Sequence, residues 1–292
     1  MHRLSRRSLG LALPALLALK PSAGRAAEDR FFDSAGVRLR YVEAGQGEPV
    51  VLVHGFSSSI ERQWVASGVM PKLAERYRVI AFDGRGHGRS EKPHDPALYG
   101  PEAARDAARL LDHLGLRKAH MVGYSLGAIL NAWLVTDSPD RFLTCTFGGA
   151  CGRFRWSDER SAAVEAEARE MDEGSQRSQI LRLWPTDQPP PSEEQIREQS
   201  ARALAGQDHR ALAASRRGGL RLVVPPEKMA AISVPTIGIV GSADSYLPDF
   251  QALKQLNPRM ELVLIEGAGH SAAPSRPEFV QTLDRFLSAH RS

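Results

Sequence analysis

The 292 residues carry a formal charge of +4 and only two cysteines, Cys145 and Cys151. Five basic groups (Arg3, Arg6, Arg7, Lys20 and Arg25) and no acidic ones fall within residues 1–26, so a chain beginning near Ala27 has a formal charge of −1. That near-neutrality removes the electrostatic case for nucleic acid or an anionic membrane as partner, and two cysteines are too few to form a disulfide framework.

Taken in chain order, residues 1–27 come first: a basic start, an apolar run from Leu9 to Leu19, then small residues around Gly24 to Ala27. This is the order of an export signal, and the adjacent Arg6 and Arg7 resemble the twin-arginine type. Eleven apolar residues interrupted by Pro14 are too few for a membrane-spanning helix of roughly 20 residues. About 265 of the 292 residues then remain, enough for one large domain with an insertion or for two small ones. A twin-arginine cargo folds before export, so Cys145 and Cys151 are expected as free thiols.

Beyond the leader, short β-branched runs ending in or near glycine recur at 49–56 (PVVLVHGF), 77–83, 118–124 (KAHMVGY), 143–149, 234–241 (VPTIGIVG) and 260–267 (MELVLIEG). They read as strands buried on both faces. Between them, residues 100–115 place Ala104, Ala107, Leu111 and Leu114 at helical spacing, with Pro101 suited to a first turn and Gly115 to an end. Strand and helix alternating in this way predict an α/β fold with a mainly parallel, doubly wound sheet. Sites on such sheets form at the carboxyl ends of the strands.

The motif GYSLG (123–127) lies at such an end, between a strand and the apolar helical stretch LGAILNAWLV. The G-x-S-x-G pattern sets Ser125 in a tight turn above a helix N-terminus, with Gly123 and Gly127 keeping the crossing clear. A serine hydroxyl attacks an acyl carbon only when a base takes its proton. Of the nine histidines, one of them His2 in the leader, His270 is singled out by a glycine-flanked loop just after the last strand run. The carboxylate that orients such a histidine is expected from Asp244, directly beyond VPTIGIVG. Asp249, past Pro248 in the next helix, is the fallback and reads more simply as a solvated first-turn acid.

The chain order Ser125, Asp244, His270 resembles that of the α/β-hydrolase fold family. The likeness runs from about residue 30 to the C-terminus and is weakest between about 152 and 225. With residues 1–27 read as export signal, it implies 28–151 with 226–292 as hydrolase core and 152–225 as a helical cap. HGF (54–56) resembles the family's oxyanion loop, which implies the backbone N–H groups of Phe56 and Leu126 as the oxyanion hole. FDGRGHGRS (82–90) resembles the turn after the following strand. His54 and His87 are expected to brace these loops, and Arg85 and Arg89 to belong to the scaffold. Haloalkane dehalogenases and epoxide hydrolases of this fold carry aspartate at the elbow, so Ser125 points away from their chemistry. No HExxH, CxxC, P-loop or GxGxxG spacing supports a metal or nucleotide, and no cofactor is expected.

In the cap, the charged run 157–176, the connector at Pro189 to Pro191 and a second helical stretch near 193–215 are expected above the site. Phe154, Trp156 and Trp184 either line an acyl pocket or anchor the cap. The leading expectation is a serine hydrolase for small or medium-chain carboxylic esters. The same three residues acting on a lactone, amide or C–C bond, or as a perhydrolase, form the second, and a small-molecule receptor the third. For the export signal, N-terminal sequencing of exported protein is expected to begin near Ala27 or Glu28; intact Met1 protein accumulating in the cytoplasm would overturn it.

Overall fold

The structure, a computed structural model, describes residues 28–291, so the export signal expected over residues 1–27 lies outside the described residues. Eight strands build one sheet: β1 (Arg30–Ser34), β2 (Val37–Ala44), β3 (Pro49–Val53), β4 (Arg78–Phe82), β5 (Ala119–Tyr124), β6 (Phe142–Gly148), β7 (Thr236–Gly241) and β8 (Glu261–Ile265). Their spatial order is β1-β2-β4-β3-β5-β6-β7-β8. From β4 to β8 every neighbouring pair is parallel, while β2 runs antiparallel to both β1 and β4.

Six of these strands coincide with the apolar runs of the sequence. Strands β5 and β7 are buried along their whole length, as continuous hydrophobic stretches in a sheet covered on both faces must be. The last run differs, because β8 closes the sheet as an edge strand and exposes Leu264 at 45%. The β1–β2 hairpin was not predicted. Its two-residue turn, Ala35-Gly36, has both φ angles positive (54° and 81°), which suits the twist of paired strands.

Helices α1 (Val69–Leu73), α2 (Pro101–His113) and α3 (Leu126–Asp137) fall between the first six strands; α2 starts at Pro101 as its sequence requires. Between β6 and β7 come α4 (Asp158–Asp172), α5 (Arg177–Leu183), α6 (Glu193–Leu204), α7 (His209–Gly218) and α8 (Pro226–Ala230). Helices α9 (Leu247–Leu256) and α10 (Pro277–Ala289) complete the chain. The stretch expected as one helix near 193–215 is two. Gly206 takes a left-handed φ of 70° and the Asp208 side chain caps the N–H of Ala211, which stops α6 and starts α7. Both cysteines are buried and free. Among the described residues no helix is long and apolar enough to cross a membrane.

Helix α3 lies so close to the sheet that a Cβ on Gly127 would sit 2.0 Å from the Val53 carbonyl oxygen. Gly127→Ala is therefore expected to cost about 3 kcal/mol by forcing α3 off the sheet, measurable as a lowered denaturation midpoint; an unchanged midpoint would refute the close-approach argument.

Candidate active site

Three loops at the carboxyl edge of the sheet converge. Ser125 occupies the turn from β5 into α3 with φ 52° and ψ −111°, a backbone that L-residues avoid. Two glycines permit it, since a Cβ on Gly123 would meet Gly127 at 2.5 Å. The Ser125 N–H donates to the Gly148 carbonyl at 2.7 Å, which pins the turn to the end of β6. Asp244 follows β7 and His270 follows β8, and their loops are joined: Ala243 donates to the Ala268 carbonyl at 3.1 Å, and Ser242 to that of Ile265 at 3.0 Å.

These loops bring Ser125, His270 and Asp244 into one hydrogen-bonded line. His270 Nδ1 lies 2.8 Å from Asp244 Oδ2, and its Nε2 lies 2.9 Å from Ser125 Oγ. An ionised carboxylate only accepts, so Nδ1 carries the proton and Nε2 offers a lone pair to the serine hydroxyl. Asp244 is buried at 2% exposure and His270 at 5%. The other Asp244 oxygen accepts from the Tyr246 N–H at 3.0 Å. Asp249 does not join this line. In the first turn of α9 it pairs with Arg155 at 3.3 Å and Arg160 at 3.5 Å, and so ties the inserted helices to the body.

Phe56 and Leu126 both border the cavity that Ser125 opens into. Leu126 is the first residue of α3, where backbone N–H groups have no intrahelical acceptor. The Phe56 loop is braced from beneath by Asp83, which accepts from the Ile60 N–H at 2.9 Å and from Arg40 Nη1 at 2.9 Å. His54 binds this loop to the next: Gly84 N–H donates to its Nε2 at 3.0 Å, so its Nδ1–H donates to the Gly55 carbonyl at 2.7 Å. His87 donates from Nδ1 to the Arg85 carbonyl, and its ring meets those of His54 and Phe56 edge-on. Arg85 forms a buried bidentate pair with Asp106, and Arg89 pairs with Asp29. None of these four side chains touches Ser125, Asp244 or His270 through a hydrogen bond or ion pair.

Sequence reasoning missed two tyrosines. Tyr124, within the GYSLG motif itself, donates its hydroxyl to the His270 carbonyl and packs its ring 5.6 Å from the imidazole. Tyr246 flanks the same imidazole at 5.5 Å, two positions beyond Asp244. Either could have been found by asking which residues next to a motif are bulky and carry a polar tip.

The cavity above Ser125 has a volume of about 710 Å³. Its far wall comes from α5, α6 and α7, and the inserted segment is moored beside the reactive groups. Thr186 donates to the Ala243 carbonyl at 3.0 Å, Gln207 Nε2 to the Ser57 carbonyl at 3.3 Å, and Pro185 covers Gly269. Trp184 lines the cavity, its indole N–H donating to the Pro189 carbonyl. Phe154 and Trp156, expected as pocket candidates, do not line it. Phe154 is packed into the main core, and Trp156 donates to Ser161 Oγ under the Arg153 guanidinium. Phe154 thus anchors the insertion to the body, while the partners of Trp156 lie within the insertion. Among the described residues no cluster of His, Cys, Asp and Glu could hold a metal ion.

Comparison with known proteins agrees with this fold. A family model described as alpha/beta hydrolase fold matches residues 48–277. The chain is 28% identical to 3-oxoadipate enol-lactonase 1 of Acinetobacter baylyi over 224 residues, covering 74% of this chain and 81% of that one. It is 38% identical over 123 residues to the dihydrolipoyllysine-residue acetyltransferase component of an acetoin cleaving system from Cupriavidus necator, where the match covers 41% of this chain but spans only 31% of the relative's length. A thermophilic esterase from Thermogutta terrifontis superposes with a TM-score of 0.76 at 24% identity, covering 91% of this chain and all of that one (100%).

Burial also fixes how the bracing histidines respond to acid. Desolvation lowers the pKa of His54 from 6.5, and that of His87 from 6.5 to about 3. Below about pH 6.5 the unfolded chain takes up these protons and the folded chain does not, so stability falls with pH, down to about 3 for His87. The expected slope is roughly 1.4 kcal/mol per pH unit for each histidine. Urea midpoints should decline from pH 7 to pH 5, with a shallower decline in His87→Gln; the same slope in both proteins would reject this assignment.

Proposed function

The chain belongs to the α/β-hydrolase fold family, and on that premise we propose that it is a serine hydrolase cleaving carboxylic esters through Ser125, His270 and Asp244. The observation that carries the reading is the continuous hydrogen-bonded line from Asp244 through His270 to Ser125, ending at the floor of the cavity. In this reading Ser125 Oγ attacks the ester carbonyl as His270 Nε2 takes its proton. Asp244 holds the Nδ1–H and stabilises the imidazolium. The carbonyl oxygen, now negative, receives the N–H groups of Phe56 and Leu126, whose dipoles are fixed before the reaction begins. The imidazolium then protonates the leaving alcohol, and water, deprotonated by the same imidazole, releases the acid from Ser125.

A lactone is the second reading, because the same acyl-enzyme forms when the leaving alcohol stays tethered to the acyl group, and one relative is named an enol-lactonase. The reading also places the work outside the cytoplasm, on the strength of the basic, apolar and small-residue order of residues 1–27.

Turnover of p-nitrophenyl butyrate is expected to fall about 10⁴- to 10⁶-fold in Ser125→Ala and His270→Ala, because such groups act as a unit. Asp244→Asn is expected to lose about 10⁴-fold through the wrong histidine tautomer. Circular dichroism of each variant should match the parent. If Ser125→Ala, correctly folded, kept most of the rate, the serine mechanism would be lost.

A further inference from the structure

The wall facing Ser125 has an unusual charge. Arg62, Arg182, Arg202, Arg216 and Arg276 line the cavity together with five glutamines, and among the described residues no Asp or Glu borders it. Three of those arginines have other tasks or lie far out in solvent. Arg62 donates to the Ala203 and Ala205 carbonyls at the end of α6, Arg202 is 70% exposed beside Glu198, and Arg276 is exposed at the rim. The deep pair is Arg182 and Arg216, and they share one carboxylate, Glu167.

That sharing is unequal. Arg182 is bonded on every side, with Nε and Nη2 donating to Glu167 and Nη1 donating to the Tyr246 hydroxyl at 2.9 Å. Arg216 is 8% exposed and poorly matched. Its Nε lies 3.2 Å from Glu167 Oε2 but out of line for a hydrogen bond. Its Nη2 donates to Gln179 Oε1, and its Nη1 makes no hydrogen bond among the described residues. The buried Gln176, on the same wall, has an unpartnered amide nitrogen. A third guanidinium, Arg153, lies nearby at 6% exposure, and desolvation together with repulsion from Arg216 lowers its pKa to about 10. Two buried guanidiniums, Arg216 and Arg153, and the half-buried Arg182 face one carboxylate, so the group is short of negative charge, and buried cations are stable only when paired.

The position of this surplus relative to the chemistry is fixed by contact. The Arg216 guanidinium lies 4.2 Å over the ring of Phe56, whose N–H is proposed above for the carbonyl oxygen. Phe56 therefore links the cation directly to the loop proposed to receive the carbonyl oxygen. Leu126 and Ile129 line the same cavity, and their apolar surface suits a short methylene chain.

We infer that Arg216, with Gln176 beside it, forms a carboxylate subsite, and that the substrate is an ester or lactone whose acyl half ends in a second, ionised carboxylate. This rests on the serine-hydrolase reading and narrows its substrate class. Arg216 Nη1 and the Gln176 amide nitrogen are donors on this wall without an acceptor among the described residues, and a guanidinium is well matched to a planar carboxylate. A neutral acyl chain of the same length leaves both donors unmet and the charge surplus in place.

The test compares kcat/KM for mono-p-nitrophenyl glutarate with that for p-nitrophenyl butyrate, with Ser125→Ala and Arg216→Gln alongside. The parent is expected to favour the hemiester at least about tenfold, and Arg216→Gln to shrink that ratio about 10- to 100-fold, the usual effect of losing a hydrogen bond to a charged group. A purely structural arginine would lower both substrates together and leave the ratio alone, which would overturn the subsite. If Arg216→Gln does not fold, Gln176→Leu takes its place, with a reduction of the ratio by severalfold expected. Ser125-dependent turnover with no preference for the hemiester would overturn the subsite and leave the hydrolase standing. No Ser125-dependent turnover of either ester, with free glutarate still raising the Tm of the parent but not of the Arg216 variant, would overturn the hydrolase and leave the subsite. Neither turnover nor a glutarate shift would remove both.

Discussion

How closely α3 can approach the sheet governs the reactive edge. Gly127 brings the helix to within contact of the Val53 carbonyl, and Gly123 admits the returning chain beneath it. With any larger residue at either position the turn between them would open and Ser125 would leave its φ of 52°. That one residue carries the strain of the crossing, and the crossing in turn points its side chain out of the sheet toward the imidazole. Cohesion of the surrounding core, rather than any local preference, holds the turn in place.

The loop carrying Phe56 depends on a second constraint, the buried charge of Asp83. Arg40 reaches this carboxylate while also bonding Asp29 and Glu61, so one guanidinium ties β2, β4 and the turn after the Phe56 loop together. His54 and His87 complete the support as neutral groups with defined tautomers. The Phe56 ring then packs against the small apolar core of the inserted helices, formed by Ala168, Met171, Leu204, Leu212 and Ala213. Body and insertion thus meet on a residue that lines the cavity.

Much of this was legible in the sequence for a physical reason. Strands buried on both faces must be continuously apolar, so the parallel sheet announces itself, and the residues just beyond such strands are the candidates for chemistry. Ser125, Asp244 and His270 were found this way, and the structure brings them together. The β1–β2 hairpin stayed hidden because Arg40 interrupts its alternation with a buried charge, and only the tertiary partners of Arg40 make that position tolerable. Phe154 and Trp156 were ambiguous for another reason: an aromatic side chain shows that it needs burial, not which surface will provide it. The arginine wall was invisible for the converse reason, since a charged helical run normally reads as a solvated face, and here α5 and α7 turn Arg182 and Arg216 inward toward Glu167.

The moorings of the inserted segment have a consequence for how the protein fails under heat. Each ends on a residue adjacent to a group of the candidate site: Thr186 on Ala243 beside Asp244, Pro185 on Gly269 beside His270, and Gln207 on Ser57 beside Phe56. The insertion's own apolar core is small, while the sheet is sealed by two large clusters, so the insertion is the weaker cooperative unit. When it loosens, it releases all three loops at once. Loss of function on warming therefore comes ahead of the melting of the sheet, and the temperature at which the protein stops working measures the integrity of its least stable part.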